Sequence, residues 1–378
     1  MKKLTALFLI LTVFINLGFS ASKTGKVKDF TPDEGNVRLL GRTIYENETA
    51  ILTHSGTGIE FNVSAKKLSV TFVKDSWHRN ARIVAFFNNE RILDEILRAD
   101  SKEFILFDSK DLQTGVVRII QVSECLMANS GIKKITTDAK GEIFPTEEKS
   151  RKIEFIGDSA TAAYGVDETN PRVSFRIETE DITKSYAYKT ALELDADYSI
   201  VCGSGWGVVS GYTNGPKKSD SLIPDVYDKA GFFDVMVEGV KPGESEWSFN
   251  RFRPDIITIL LGANDQNYTK NEAEKCREFK DAYVKFIKDI RSKNPDSYIL
   301  CCSGIAPDEL HPQIQAAVSE YTSQSKDNNV GYLHIPLHNG EEEGWGADWH
   351  PTDKTYTKAA DFICRRLSEI LQRAGQHY

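Results

Sequence analysis

Two rhythms of apolar and polar positions divide this chain. Between residues 36 and 145 the apolar runs are short and separated by turn residues: Val37–Leu40, Ala50–Thr53, Ile59–Val63, Leu68–Phe72, Ile83–Phe87, Glu103–Phe107, Val116–Val122 and Ile132–Thr136. Many short strands at this spacing predict an all-β sandwich or jelly roll. From Lys152 onward, apolar runs of five or six residues alternate with helical patterns. Lys152–Ile156, Tyr198–Cys202, Asp255–Leu261, Ser297–Cys302 and Gly331–Leu337 have the composition of strands buried on both faces, as in a parallel sheet. Phe279, Tyr283, Phe286, Ile287 and Ile290 form one helical stripe; Ala359, Phe362, Ile363, Leu367 and Ile370 form another. The second rhythm predicts a three-layer α/β domain, and the Pro145-containing stretch Glu142–Ser150 is the natural linker.

The first twenty residues change the picture of where the protein works. Lys2 and Lys3 precede an apolar run from Leu4 to Phe19 that is too short to span a bilayer and ends in small residues. This predicts a signal peptide over residues 1–20, a β domain over 21–148 and an α/β domain over 149–378, in a secreted or periplasmic protein free of the membrane after cleavage. The formal net charge of −8 with no basic cluster argues against nucleic acid as a partner. Six cysteines suit an exported disulfide protein, but Cys202, Cys301, Cys302 and Cys364 lie inside apolar patterns and are expected as buried thiols. No C-x-x-C pair or H-E-x-x-H motif supports a metal site.

In an open α/β sheet the reactive side chains gather where loops leave the carboxyl ends of the strands. The first such end is Gly157-Asp158-Ser159, which exposes a hydroxyl on a strand-to-helix turn. The second is Cys202-Gly203-Ser204-Gly205-Trp206-Gly207, and the third is Gly262-Ala263-Asn264-Asp265. A glycine N–H, an asparagine amide and the Ser159 N–H at adjacent strand ends suit an oxyanion hole around a nucleophilic Ser159. Each of these turns alone is an ordinary capping or turning device; the three together are the signal. Of seven histidines, His350 lies beyond the last predicted strand and directly before the final helix, in Gly346-Ala347-Asp348-Trp349-His350-Pro351, where Pro351 restrains the loop. It is the candidate base, with His338 as the alternative. Trp206, Trp345 and Trp349 flank these turns and are candidate stacking platforms for a sugar, or else packing residues. Trp77, His78 and Arg79 form a patch whose plainer reading is a polar loop.

The blocks Gly157-Asp158-Ser159, Gly205, Gly262-Ala263-Asn264-Asp265 and Asp348-Trp349-His350-Pro351 resemble those of the SGNH hydrolases, which have a flavodoxin-like α/β fold. With Gly41-Arg42-Thr43 and Ser55-Gly56-Thr57-Gly58-Ile59-Glu60-Phe61 upstream, the chain resembles carbohydrate esterase family 2 more specifically. That resemblance implies a jelly roll joined to an SGNH domain, with Ser159 as nucleophile, Gly205 and Asn264 as oxyanion donors, His350 as base and no cofactor. It implies removal of O-acetyl groups from plant-type polysaccharide or oligosaccharide; separately, the chain is expected to be a monomer. SGNH enzymes usually carry the triad acid three residues before the histidine; here that residue is Ala347, and the nearby acid is Asp348 at offset two. Residues alternate along an extended segment, so Asp348 either reaches the ring through a bend or leaves that work to a main-chain carbonyl, as some members of the family do. Two further readings use the same fold: a lipase or general esterase, and a glycan-binding protein without turnover.

Overall fold

The computed structural model describes residues 26–375, so the expected signal peptide lies outside the described residues. The N-terminal half is antiparallel. Its strands are β1 (Val27–Phe30), β2 (Arg38–Leu40), β3 (Ile44–Glu46), β4 (Thr49–Leu52), β5 (Gly58–Lys74), β6 (Ala81–Phe87), β7 (Glu90–Leu97), β8 (Ser101–Gln121), β9 (Ser130–Asp138) and β10 (Glu142–Pro145). The main pairing path runs β3-β4-β9-β5-β8-β6-β7, with β2 and β10 added to β5 and β1 to β9.

Two predicted pairs of runs are single long strands. The runs Ile59–Val63 and Leu68–Phe72 merge in β5, and Glu103–Phe107 and Val116–Val122 merge in β8. Lys66 and Lys67 look like a turn in sequence, but register shifts at Ala65/Lys67 and Leu68/Ser69 let the β5–β8 ladder continue past them. Because β5 pairs β2 and β10 along its first part and β9 along its second, it serves two groups of strands around one core containing Phe61, Phe72, Ile83 and Ile119. The expected linker is shorter than predicted. Glu142–Pro145 pairs with β5, leaving residues 146–150 to connect the halves.

The C-terminal half is a five-stranded parallel sheet of β11 (Arg151–Gly157), β12 (Ala196–Cys202), β13 (Ile256–Leu260), β14 (Tyr298–Gly304) and β15 (Val330–Ile335), in the order β12-β11-β13-β14-β15. Helices Tyr186–Glu193 and Asp353–Gly375 share one core with one face of the sheet; Ala273–Lys293 and His311–Ser325 share the other. This is the expected three-layer arrangement. The chain leaves β11 toward β12 on one side and later returns to β13 on the other, so a crevice opens at the carboxyl ends of β11 and β13, where such sheets bind ligands.

A buried ion pair joins the halves. Arg42, with no exposed surface, reaches from the β3 approach into the α/β half, donating to the Tyr227 and Lys229 carbonyls at 2.6 and 2.9 Å and to Glu154 Oε2 at 3.3 Å. Glu154, on β11, also accepts from Ser199 Oγ (2.9 Å) and Tyr227 OH (2.7 Å). Nearby, Tyr198 donates to the Gly56 carbonyl at 2.9 Å, and a Cβ on Gly56 (φ +79°) would stand 3.0 Å from the Tyr198 ring. All six cysteines are free and buried, as the apolar setting of four of them predicts.

Candidate active site

The first turn of the crevice is shaped by what surrounds it. β11 ends at Gly157, where a Cβ would lie 2.0 Å from Thr161 Oγ1, so the chain turns here only with glycine. Asp158 caps the short helix Ser159–Ala162 by accepting from the Ala160 N–H at 3.0 Å, and Ala163 in left-handed conformation ends it. Ser159 is left half-exposed at the sheet edge.

His350 meets it from the opposite wall. Its Nε2 lies 3.0 Å from Ser159 Oγ, and its Nδ1 lies 3.2 Å from the Ala347 carbonyl. The consistent tautomer places the proton on Nδ1, donating to Ala347, and leaves Nε2 to accept from the serine hydroxyl. Burial holds the imidazole below the usual histidine range, so the ring is neutral and basic at neutral pH. The carbonyl points at the ring because the segment is folded back on itself. Asp348 and Trp349 are both left-handed (φ 48° and 62°), the Ala347 N–H donates to Gly165 O at 3.0 Å, and the Gly346 N–H donates to His350 O at 2.8 Å. Two adjacent non-glycine residues in that conformation cost energy, and the surrounding contacts hold them there.

Asp348, expected as the possible third member, is turned away from the ring. Its Oδ2 accepts from Tyr164 OH at 3.0 Å and from the Phe175 N–H at 2.9 Å. Tyr164 stacks on Phe175 with centroids 4.3 Å apart and lies 4.4 Å from the His350 ring, so Asp348 braces the aromatic wall behind the imidazole. His338, the alternative base, is not at the crevice serine: its Nδ1 meets Thr355 Oγ1 at 2.6 Å and Glu343 Oε2 at 3.2 Å.

Gly205 (φ +80°) and Ser159 each present a backbone N–H with no acceptor among the described residues. Asn264 stands behind them with its Nδ2 at 2.9 Å from the Trp206 carbonyl and 3.3 Å from Asp158 Oδ2. Burial pushes Asp158 up to about 7 and Asp265 up to about 6. Asp265 was not singled out by sequence reasoning. Its Oδ1 takes the N–H groups of Val208, Val209 and Ser210 at 3.0, 2.7 and 3.0 Å, so it shapes the loop that begins at Gly205. The one available signal was an acid placed directly at a buried strand end.

The three tryptophans separate. As a sugar platform Trp206 is a correction: only 9% exposed, it packs on Phe232 with centroids 4.7 Å apart and belongs to the core, the packing role left open above. Trp349 is 56% exposed beside His350, and the half-buried Trp345 packs edge-on to it at 5.5 Å. In the remote patch, Trp77 is exposed and Arg79 is held by Asp75 through Nε at 2.9 Å. Among the described residues, no cluster of three or more His, Cys, Asp or Glu side chains could hold a metal ion.

Residues 153–363 match the family model for GDSL-like lipase/acylhydrolase. The cellulase/esterase CelE of Acetivibrio thermocellus is 33% identical over 230 residues, 60% of this chain but only 26% of that protein. An acetylxylan esterase/glucomannan deacetylase of Cellvibrio japonicus is 24% identical over 344 residues, covering 89% of both chains. Among solved structures, an acetyl xylan esterase (Est2A) from the rumen bacterium Butyrivibrio proteoclasticus superposes with a TM-score of 0.84 at 23% identity, over 92% of this chain and 99% of that one. A family two carbohydrate esterase from Clostridium thermocellum, in complex with cellohexaose, gives 0.77 at 25% identity over 89% and 99%.

Proposed function

The chain belongs to the GDSL-like lipase/acylhydrolase family, and from that premise we propose that it removes O-acetyl groups from plant-type polysaccharide or oligosaccharide by a serine acyl-enzyme mechanism. The observation that carries this reading is the 3.0 Å contact between Ser159 Oγ and Nε2 of a half-buried His350. Ser159 attacks the acetyl carbonyl while its proton passes to Nε2, and the imidazolium is held through Nδ1–H by the Ala347 carbonyl. The N–H groups of Ser159 and Gly205 face the oxyanion, joined by Asn264 as its weakly held N–H leaves Asp158. Collapse expels the sugar alkoxide, which takes the proton from Nε2. Water then enters, gives a proton to the same nitrogen, attacks the acetyl-enzyme, and acetate leaves with Ser159 restored. The cycle needs no cofactor.

Acetylated carbohydrate is favoured over a lipid ester by the exposed Trp349 beside the reacting pair and by the carbohydrate esterases named among the relatives. We read residues 21–148 as a jelly-roll domain and 149–378 as the esterase domain of an exported monomer. The test is acetate release from acetylated xylan and glucomannan by the wild type and by Ser159→Ala. The variant should be folded and inactive, and near-wild-type turnover by it would remove the mechanism.

A further inference from the structure

The loop carrying Gly205 is gripped from the N-terminal half by a residue that the mechanism above does not use. At the end of β8, Gln121 is fully buried and donates to the Ser123 and Ala128 carbonyls at 3.1 and 2.8 Å while accepting from Ser130 Oγ at 2.7 Å. This fixes a tight loop with Glu124 at its apex, where the Glu124 carbonyl accepts from the Met127 N–H at 3.0 Å. The Glu124 side chain has no exposed surface, and its Oε2 accepts from the Ser204 N–H at 2.7 Å, one residue before Gly205.

Glu124 is itself held by a second buried acid. Glu180, in the segment before helix Tyr186–Glu193, accepts from the Glu124 N–H through Oε2 at 3.0 Å, and both side chains are without exposed surface. The other oxygens, Glu124 Oε1 and Glu180 Oε1, are buried with no donor from the protein. Two carboxylates ionised together in so dry a setting would repel. Burial pushes both acids up. Arg82 completes the clasp, donating through Nη1 to the Glu178 and Glu180 carbonyls at 2.9 and 3.1 Å and to Asp167 at 2.7 Å. A surface loop needs none of this.

We propose that Glu124, seated on Glu180, is a positioning residue that fixes the Ser204–Gly205 turn so that the Gly205 N–H points at the reacting carbonyl. The inference rests on the reading of Gly205 as an oxyanion donor. A donor that is removed costs roughly a hundredfold or more in kcat, and one left in place but unanchored costs less, so about tenfold is expected.

The test is steady-state hydrolysis of a chromogenic acetate by Glu124→Ala, Glu124→Asp and Glu124→Gln, with thermal melts to establish that each is folded and with Ser159→Ala alongside. Gln keeps the reach, and its oxygen accepts from the Ser204 N–H. Asp keeps the charge but is one methylene short of the loop. The expected kcat order is wild type and Gln within about threefold of one another, then Asp, then Ala about tenfold down, with KM changed less than about twofold throughout. Asp equal to or above Gln, or all three at the wild-type kcat, overturns the inference. If that happens while Ser159→Ala is inactive, the acyl-enzyme mechanism stands without it; an active Ser159→Ala brings down the mechanism first.

Discussion

Replacing Asp348 by Asn separates a serine–histidine pair with a main-chain partner from a full triad. In the structure the carboxylate touches Tyr164 OH and the Phe175 N–H, and the ring nitrogen that a triad acid would hold faces the Ala347 carbonyl. Asn keeps an oxygen able to accept both bonds, and it tolerates the left-handed backbone at this position better than most residues, so no strain is added. What is lost is the charge assistance to two hydrogen bonds, each worth roughly 1 kcal/mol. Even if all of that reached the transition state, about 2 kcal/mol corresponds to about thirtyfold in kcat. Loss of a true triad carboxylate costs about ten-thousandfold. The assay is kcat on a chromogenic acetate at neutral pH, with His350→Ala as the reference for a missing base. A fall of Asp348→Asn by three orders of magnitude, close to that of His350→Ala, would refute the carbonyl-held imidazole and require the loop to bend so that the carboxylate reaches the ring.

Two other outcomes follow from the same geometry. Because burial lowers the His350 pKa below its ordinary 6.5, the protonated, inactive form dominates only at lower pH; the acidic limb of kcat/KM should therefore have its midpoint below 6.5, and a limb centred above 6.5 in a pH–rate profile would contradict this. Trp349→Ala should raise KM for acetylated polysaccharide several-fold and leave a small acetate ester nearly unaffected, whereas Trp206→Ala should lower the melting temperature, since it opens a core cavity worth roughly 3–5 kcal/mol; equal effects of the two on polysaccharide KM would refute the division.

The parallel sheet was legible because strands buried on both faces must be apolar throughout, and each of its five strands overlaps the run read for it. Strand ends place Ser159, Gly205 and Asn264 side by side, since topology decides which ends are neighbours, and the loop before the final helix brings His350 to Ser159. The antiparallel half was less legible. β7, Glu90–Leu97, is rich in charge and was missed, because an edge strand with partly exposed faces need not look apolar. The sequence leaves Trp206 open between platform and packing, because a glycine-rich turn looks open whichever way its one ring points. Glu124 and Glu180 were invisible: two acids 56 positions apart look like surface until the halves are docked.

The Arg42–Glu154 contact makes the short connection at residues 146–150 a poor place to cut. Separating the halves there would leave a guanidinium and a carboxylate, each shaped for a dry pocket, facing opposite emptied surfaces, and wherever one of them stays buried without its partner the cost is roughly 3–5 kcal/mol, a large share of a typical total stability of about 5–15 kcal/mol. The N-terminal half is thus less an appended module than a lid bolted through the sheet. Anyone transplanting the α/β half to a new scaffold would have to redesign position 154 as an apolar residue, or carry Arg42 along with it.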